Sequence, residues 1–220
     1  MCFSAEADLV AGVVVSTLGI DAFHHVRRPT ERLLAVIPVV LGVHSLIETL
    51  VWWGAEGEVS ETLGHVAAWI YLLIAFGVLP VLVPLAVGAL EPDAVRGRTA
   101  LFTAVGGAVA IALTYAVVRG PIEVTAQRRY LDYRVDLWHG GIIVTAYVAV
   151  TCGSMLMSQR SHVRWFGASN LAAACVLAWL SQRAFISLWC TWAAVTSVAI
   201  AVHLRREPAD ASGLVVTGAR

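Results

Sequence analysis

Seven stretches of largely apolar residues, each close to the length of a bilayer crossing, divide this 220-residue chain. One helical crossing takes about 20 such residues. The stretches fall at roughly 7–23, 33–53, 62–90, 99–118, 139–157, 163–182 and 185–203. They predict an all-α polytopic membrane helix bundle over residues 1–206. The first is short and carries Asp21. The sixth and seventh are separated only by Gln182, Arg183 and Ala184, which predicts a tight helical hairpin. Pro80 and Pro84 lie late in the third and should kink it, leaving carbonyls for flanking helices to satisfy. No charged leader segment precedes the first stretch, so neither a cleaved signal nor a lipoprotein is expected. The tail 207–220 is expected to be disordered.

Composition agrees with lipid as the main solvent. Hydrophobic residues make up 59% and charged residues 14%, whereas a soluble domain keeps about a quarter of its residues charged. The formal net charge of zero argues against a nucleic-acid partner. Membrane lipids are the expected surroundings. All 15 basic residues are Arg. A retinal Schiff base needs a Lys amine, so a retinal protein is excluded despite the helix number.

Arginine placement sets the expected orientation. Arg27, Arg28, Arg32, Arg96, Arg98, Arg160, Arg164, Arg205, Arg206 and Arg220 fall on one side, 10 in all. Arg119, Arg128, Arg129, Arg134 and Arg183 fall on the other, 5 in all. The richer side is expected to be cytoplasmic, in a cell membrane, with the N-terminus outside. The longest connection, 119–138, contains Ile122, Val124, Tyr130, Tyr133 and Val135, which suggest two short extended pieces. A hairpin there could lie across the outer mouth as a lid; an ordinary polar loop is the plainer alternative.

Ionisable groups at membrane depth cost about 2.5–3.5 kcal/mol each on insertion scales, so their positions matter. His44 and Glu48 are four apart, on one helical face. At 1.5 Å per residue, Glu48 lies about 6 Å inward of Trp52 and His44 about 12 Å. Trp52 and Trp53 read as an aromatic belt. His65, about 6 Å inward of Glu61, shares the depth of Glu48. Trp138 and His139 open the fifth stretch, Gln182 and Arg183 close the sixth, and Cys190 lies early in the seventh. Cys2, Glu6 and Asp8 stand at the same outer end. His24, His25, His162 and His203 read as interfacial residues at inner ends, and Cys152 and Cys175 as small buried thiols.

Cys2, His44, Glu48, His65 and His139 together offer thiolate, imidazole and carboxylate, a set that suits zinc, iron or copper. Arg183, Gln182, Trp138 and Cys190 would line the same outward pocket. The plainer alternative is an internal hydrogen-bond network with Glu48 paired to His65 or Arg183.

Met1, Cys2, Phe3, Ser4 and Ala5, followed by Glu48, Val51 and Trp52, carry a resemblance. The chain resembles an uncharacterised bacterial family of multi-pass membrane proteins beginning Met-Cys-Phe-Ser-Ala. The resemblance implies topology and draws attention to Cys2 and Glu48, but carries no activity. The layout is also similar to membrane-embedded zinc hydrolases acting on lipids, although no HxxxH pair is present.

Three functional expectations follow. The pocket binds a transition metal for redox or hydrolytic chemistry; or the chain is a small-solute or proton-coupled transporter with Glu48 titrating; or it is a non-catalytic subunit or sensor whose loop 119–138 docks a partner. Transport predicts polar residues continuing across the membrane, and the sequence offers only Asp21, Thr114 and Asn170 for that path.

Overall fold

The computed structural model describes residues 4–92, 96–127, 130–137, 139–180 and 185–206. It is mostly helical, with seven helical rods and one small sheet among these residues. The rods are α1 (Ala5–His25), α2 (Arg32–Glu56), a continuous rod of α3 (Glu61–Leu73), a π-helical turn (Ile74–Val78) and α4 (Leu79–Leu90), then α5 (Arg96–Arg119), α6 (Gly140–Leu156), α7 (Ser161–Leu180) and α8 (Phe185–Arg206). Between α5 and α6 stands a hairpin of β1 (Ile122–Gln127) and β2 (Tyr130–Val135). Each rod overlaps one apolar stretch of the sequence. The expected turn 182–184 and the tail 207–220 lie outside the described residues.

Local chemistry explains the helix ends. The Ser4 hydroxyl accepts from the Ala7 amide, and Glu6 and Asp8 fill the first turn of α1, where the free amides favour an acceptor and negative charge. Gly57, at φ 82°, ends α2 in the left-handed region that glycine enters without steric cost. Ser60 then caps α3 by accepting from the Leu63 amide, so α2 and α3 meet through a very short loop.

The third rod does not simply kink. Pro80 has no N–H to give to the carbonyls of Phe76 and Ala75, and the chain adopts a π turn just before it. The Ala75 carbonyl is taken instead by the Tyr147 hydroxyl of α6, at 2.9 Å. A flanking helix thus satisfies the carbonyl, as the prolines required.

Glycines bring the rods close. A Cβ on Gly54 would collide with the Gly64 Cα, so α2 and α3 touch backbone to backbone. Gly12 and Gly19 of α1 face Leu46 and Val39 of α2, and Gly42 faces Ser16. This is the small-residue packing that lipid-embedded helices use, because apolar burial alone does not draw them together there.

The buried side chains form two clusters. One lies towards the hairpin and contains Trp52, Tyr71, Leu131, Tyr133, Tyr147, Trp189 and Cys190. The other lies towards the opposite end and contains Ile37, Leu41, Leu79, Val83, Met155 and Phe166. Among the described residues, four helices are long and apolar enough to cross a membrane: Ala5–His25, Pro29–Glu56, Glu61–Leu90 and Gly97–Arg119.

Candidate functional site

Burial alternates along α2 so that one face carries His44, Ser45, Glu48, Thr49 and Trp52 into the interior. His44 and Glu48, one turn apart, are each only 1% exposed. Ser187, in the first turn of α8, donates its hydroxyl to Glu48 Oε1 at 2.7 Å. Asp8 of α1 is fully buried and accepts from Trp52 Nε1 at 2.9 Å. Trp52 is therefore a core residue holding α2 to α1, not part of an interfacial belt.

His44 is held at the end of a ring stack rather than by hydrogen bonds. Its imidazole stacks on Tyr71 of α3, with centroids 3.9 Å apart and planes 11° apart. Tyr71 stacks in turn on Tyr133 of β2, at 4.8 Å and 8°. Both ring nitrogens of His44 are buried with no hydrogen-bond partner among the described residues. Cys190 of α8 faces Tyr71 and Glu48. The result is a polar core of His44, Glu48, Tyr71, Ser187 and Cys190, built by α2, α3 and α8.

The hairpin covers this core. Its antiparallel register pairs Ile122 with Val135, Val124 with Tyr133 and Ala126 with Leu131. Along β1, buried or half-buried residues alternate with exposed ones, the mark of a strand with one face against a body and one in solvent. On β2, Leu131, Asp132 and Tyr133 are buried in succession. The two extended pieces read from the sequence are present, and they close the mouth rather than leaving it open.

Of the five expected ligands, the four among the described residues do not all come together. His44 and Glu48 share the interior, but His65 and His139 are exposed. Gly64 faces α2, so His65, the next residue on a helix, is turned outward. His139 precedes α6 in the left-handed region, at φ 52°. Among the described residues no group of three or more His, Cys, Asp or Glu side chains has the geometry to hold a metal ion. Cys2, Trp138, Gln182 and Arg183 lie outside the described residues. Cys190 is buried and forms part of the core. Glu48 is bonded to Ser187 rather than to His65. Cys152 is buried, whereas Cys175 is exposed.

Sequence reading missed Tyr71, Tyr133 and Ser187. A signal was available for Ser187: Ser187, Cys190 and Thr191 are spaced i, i+3, i+4, a polar strip on an otherwise apolar helix. Tyr71 continues the small face Gly64, Ala67 and Ala68, the face that meets α2.

The chain belongs to a family of unknown function (DUF6629), whose match covers residues 1–213. No curated protein matches the chain. No solved structure matches it either.

Proposed function

We propose that this is an integral membrane protein crossing the bilayer seven times, and that the polar core under the hairpin is its working site, binding or exchanging protons with a molecule that reaches His44. The arginine distribution supports an outer hairpin end and an N-terminus outside. Large apolar side chains on the outer faces of the rods support lipid contact; Ile111 is 74% exposed. On α7, Trp165 and Trp179 are 77% and 85% exposed. They stand 14 positions apart, about 21 Å along a helix, and turn large aromatic rings to the surroundings as residues near a membrane boundary do.

The single observation that carries the site is His44. A buried polar group left without a hydrogen bond costs about 1–3 kcal/mol. Such a group in an otherwise well-packed core is the kind of local inconsistency that function retains. A phenylalanine would keep the ring stack without that cost. The imidazole is kept with its nitrogens open and with a carboxylate one helical turn away, which suits proton exchange or ligand recognition.

His44→Phe tests this reading. The variant is expected to fold, to melt at least as high as the parent, and to fail to restore the function of a strain lacking the protein. A clear fall in melting temperature would mean that the imidazole serves the fold, and the reading would be lost.

Open imidazole nitrogens also suit a transition metal such as zinc, iron or copper. That reading now needs Cys2 or a group from the ligand to complete the set. Metal analysis of the parent beside His44→Ala decides it. Transport is less well supported, because the half opposite the hairpin is packed with apolar side chains. Proteoliposomes with a trapped pH dye are expected to show no proton flux. A partner-docking role for 119–138 is also less favoured, since Leu131 and Tyr133 are spent on covering the core.

A further inference from the structure

The polar core has three sides from which a molecule could come. The hairpin closes one with Leu131 and Tyr133. The apolar cluster of Leu41, Leu79, Val83 and Met155 closes the opposite one. The third side, between α6 and α7, is built differently.

Beside Cys190 lies a cavity of about 50 Å³, walled by Tyr147, Cys152, Asn170 and Trp189 among others. It has room for one or two water-sized groups. Cys152 also lines a groove of about 890 Å³ on the outside of the bundle. On the α6 side that groove is floored by Gly141, Thr145, Ala149 and Gly153, one small residue per turn. Leu171, Ala174, Cys175 and Ala178 of α7 form the other wall, and among the described residues no charged side chain lines it. The two helices are pinned together near Gly167, where a Cβ would meet the Met155 Cβ at 2.6 Å. Cys152 is thus common to the wall of the groove and the wall of the cavity that ends at Cys190.

We infer that the polar core is reached sideways from the lipid phase, by the hydrocarbon chain of a membrane amphiphile that lies in the groove and puts its end past Cys152 towards Cys190. The absence of charge in the lining excludes a polar headgroup along its length. A partner helix, about 10 Å across, cannot pass a wall one residue wide. The inference rests on the polar core being the working site, and supplies the class of molecule that site receives.

Crosslinking tests the route without any assay of activity. The full chain is placed in phosphatidylcholine nanodiscs with palmitic acid carrying a diazirine at its chain end, irradiated, and mapped by mass spectrometry. Insertion is expected at Cys152, Trp189 or Cys190, and should be lost when unlabelled palmitate is added in excess. Ala149→Trp, which fills the groove, should abolish it; Ala178→Phe on the facing wall serves if the first variant does not fold. Insertion at Ile111 and Tyr115, exposed on α5, should persist throughout. Insertion confined to such outward residues overturns the lateral route, as does labelling of Cys190 that neither competitor nor blocking variant removes. A lost route with His44→Phe behaving as expected would leave the site standing and remove only its lipid access.

Discussion

Two buried polar groups, one at the end of α4 and one halfway along α2, are treated in opposite ways. At the end away from the hairpin, Glu91 follows α4 and accepts from the Ser158 hydroxyl at 2.5 Å and from the Gln159 amide at 3.1 and 3.3 Å. Arg164 then donates to the Ser158 and Gln159 carbonyls at 3.0 Å each. The carboxylate pins the α6–α7 connection to the end of α4 with its acceptors well used. Under the hairpin, His44 is as deeply buried, yet its nitrogens stay open and a ring stack holds it. Burial alone does not separate a structural polar group from a functional one; the state of its hydrogen bonds does.

Substitutions can sharpen or break this contrast, measured as melting temperature of the detergent-solubilised protein. Glu91→Ala should have the largest effect. Losing charged hydrogen bonds and stranding their donors should cost about 3 kcal/mol. At about 2–4 °C per kcal/mol for a chain of this size, that is a fall of roughly 6–12 °C. Equal stability would mean that the staple is ornamental. Gly106→Ala comes next, because an added Cβ would strike the Pro80 carbonyl. Overpacking of that kind costs about 1–3 kcal/mol, and a neutral result would show that α4 and α5 can part freely. His44→Phe should move the other way, raising stability by about 1–2 kcal/mol through removal of unsatisfied nitrogens. His65→Ala should have the smallest effect, within about 0.5 kcal/mol. A larger loss would mean that this exposed ring is engaged after all.

The helices were legible because each is written directly in the sequence as a long apolar run. The carbonyl freed ahead of Pro80 was also legible, since a missing N–H is a covalent fact. Depth along each helix followed from the fixed rise per residue, but the alignment of the two rods did not: Gly54 meets Gly64, so Glu48 lies six residues from that contact and His65 only one, about 9 Å against about 1.5 Å, and the two do not share a level. Azimuth failed as well. Which way His65 points depends on which face of α3 meets α2, and that face is chosen by Gly54 against Gly64. Gly64 stands one position from a candidate ligand, a signal that depth reasoning alone does not weigh. His139 was misplaced for a related reason, since a left-handed turn before α6 re-aims it. Tyr133 required a contact between a strand and a helix far apart in sequence, which no local pattern encodes.

The π turn at Ile74–Val78 gives the third rod one place where its length can change. A turn that takes up one extra residue leaves the halves on either side close to the phase that a helix one residue shorter would give them. Removing a residue from this stretch would let an ordinary helix run through, with Tyr71 kept over His44 and Leu79 and Val83 kept in the apolar half. The same deletion elsewhere in the rod would turn one half against the other by about 100°. The turn thus marks where a lost codon would be absorbed and where it would not.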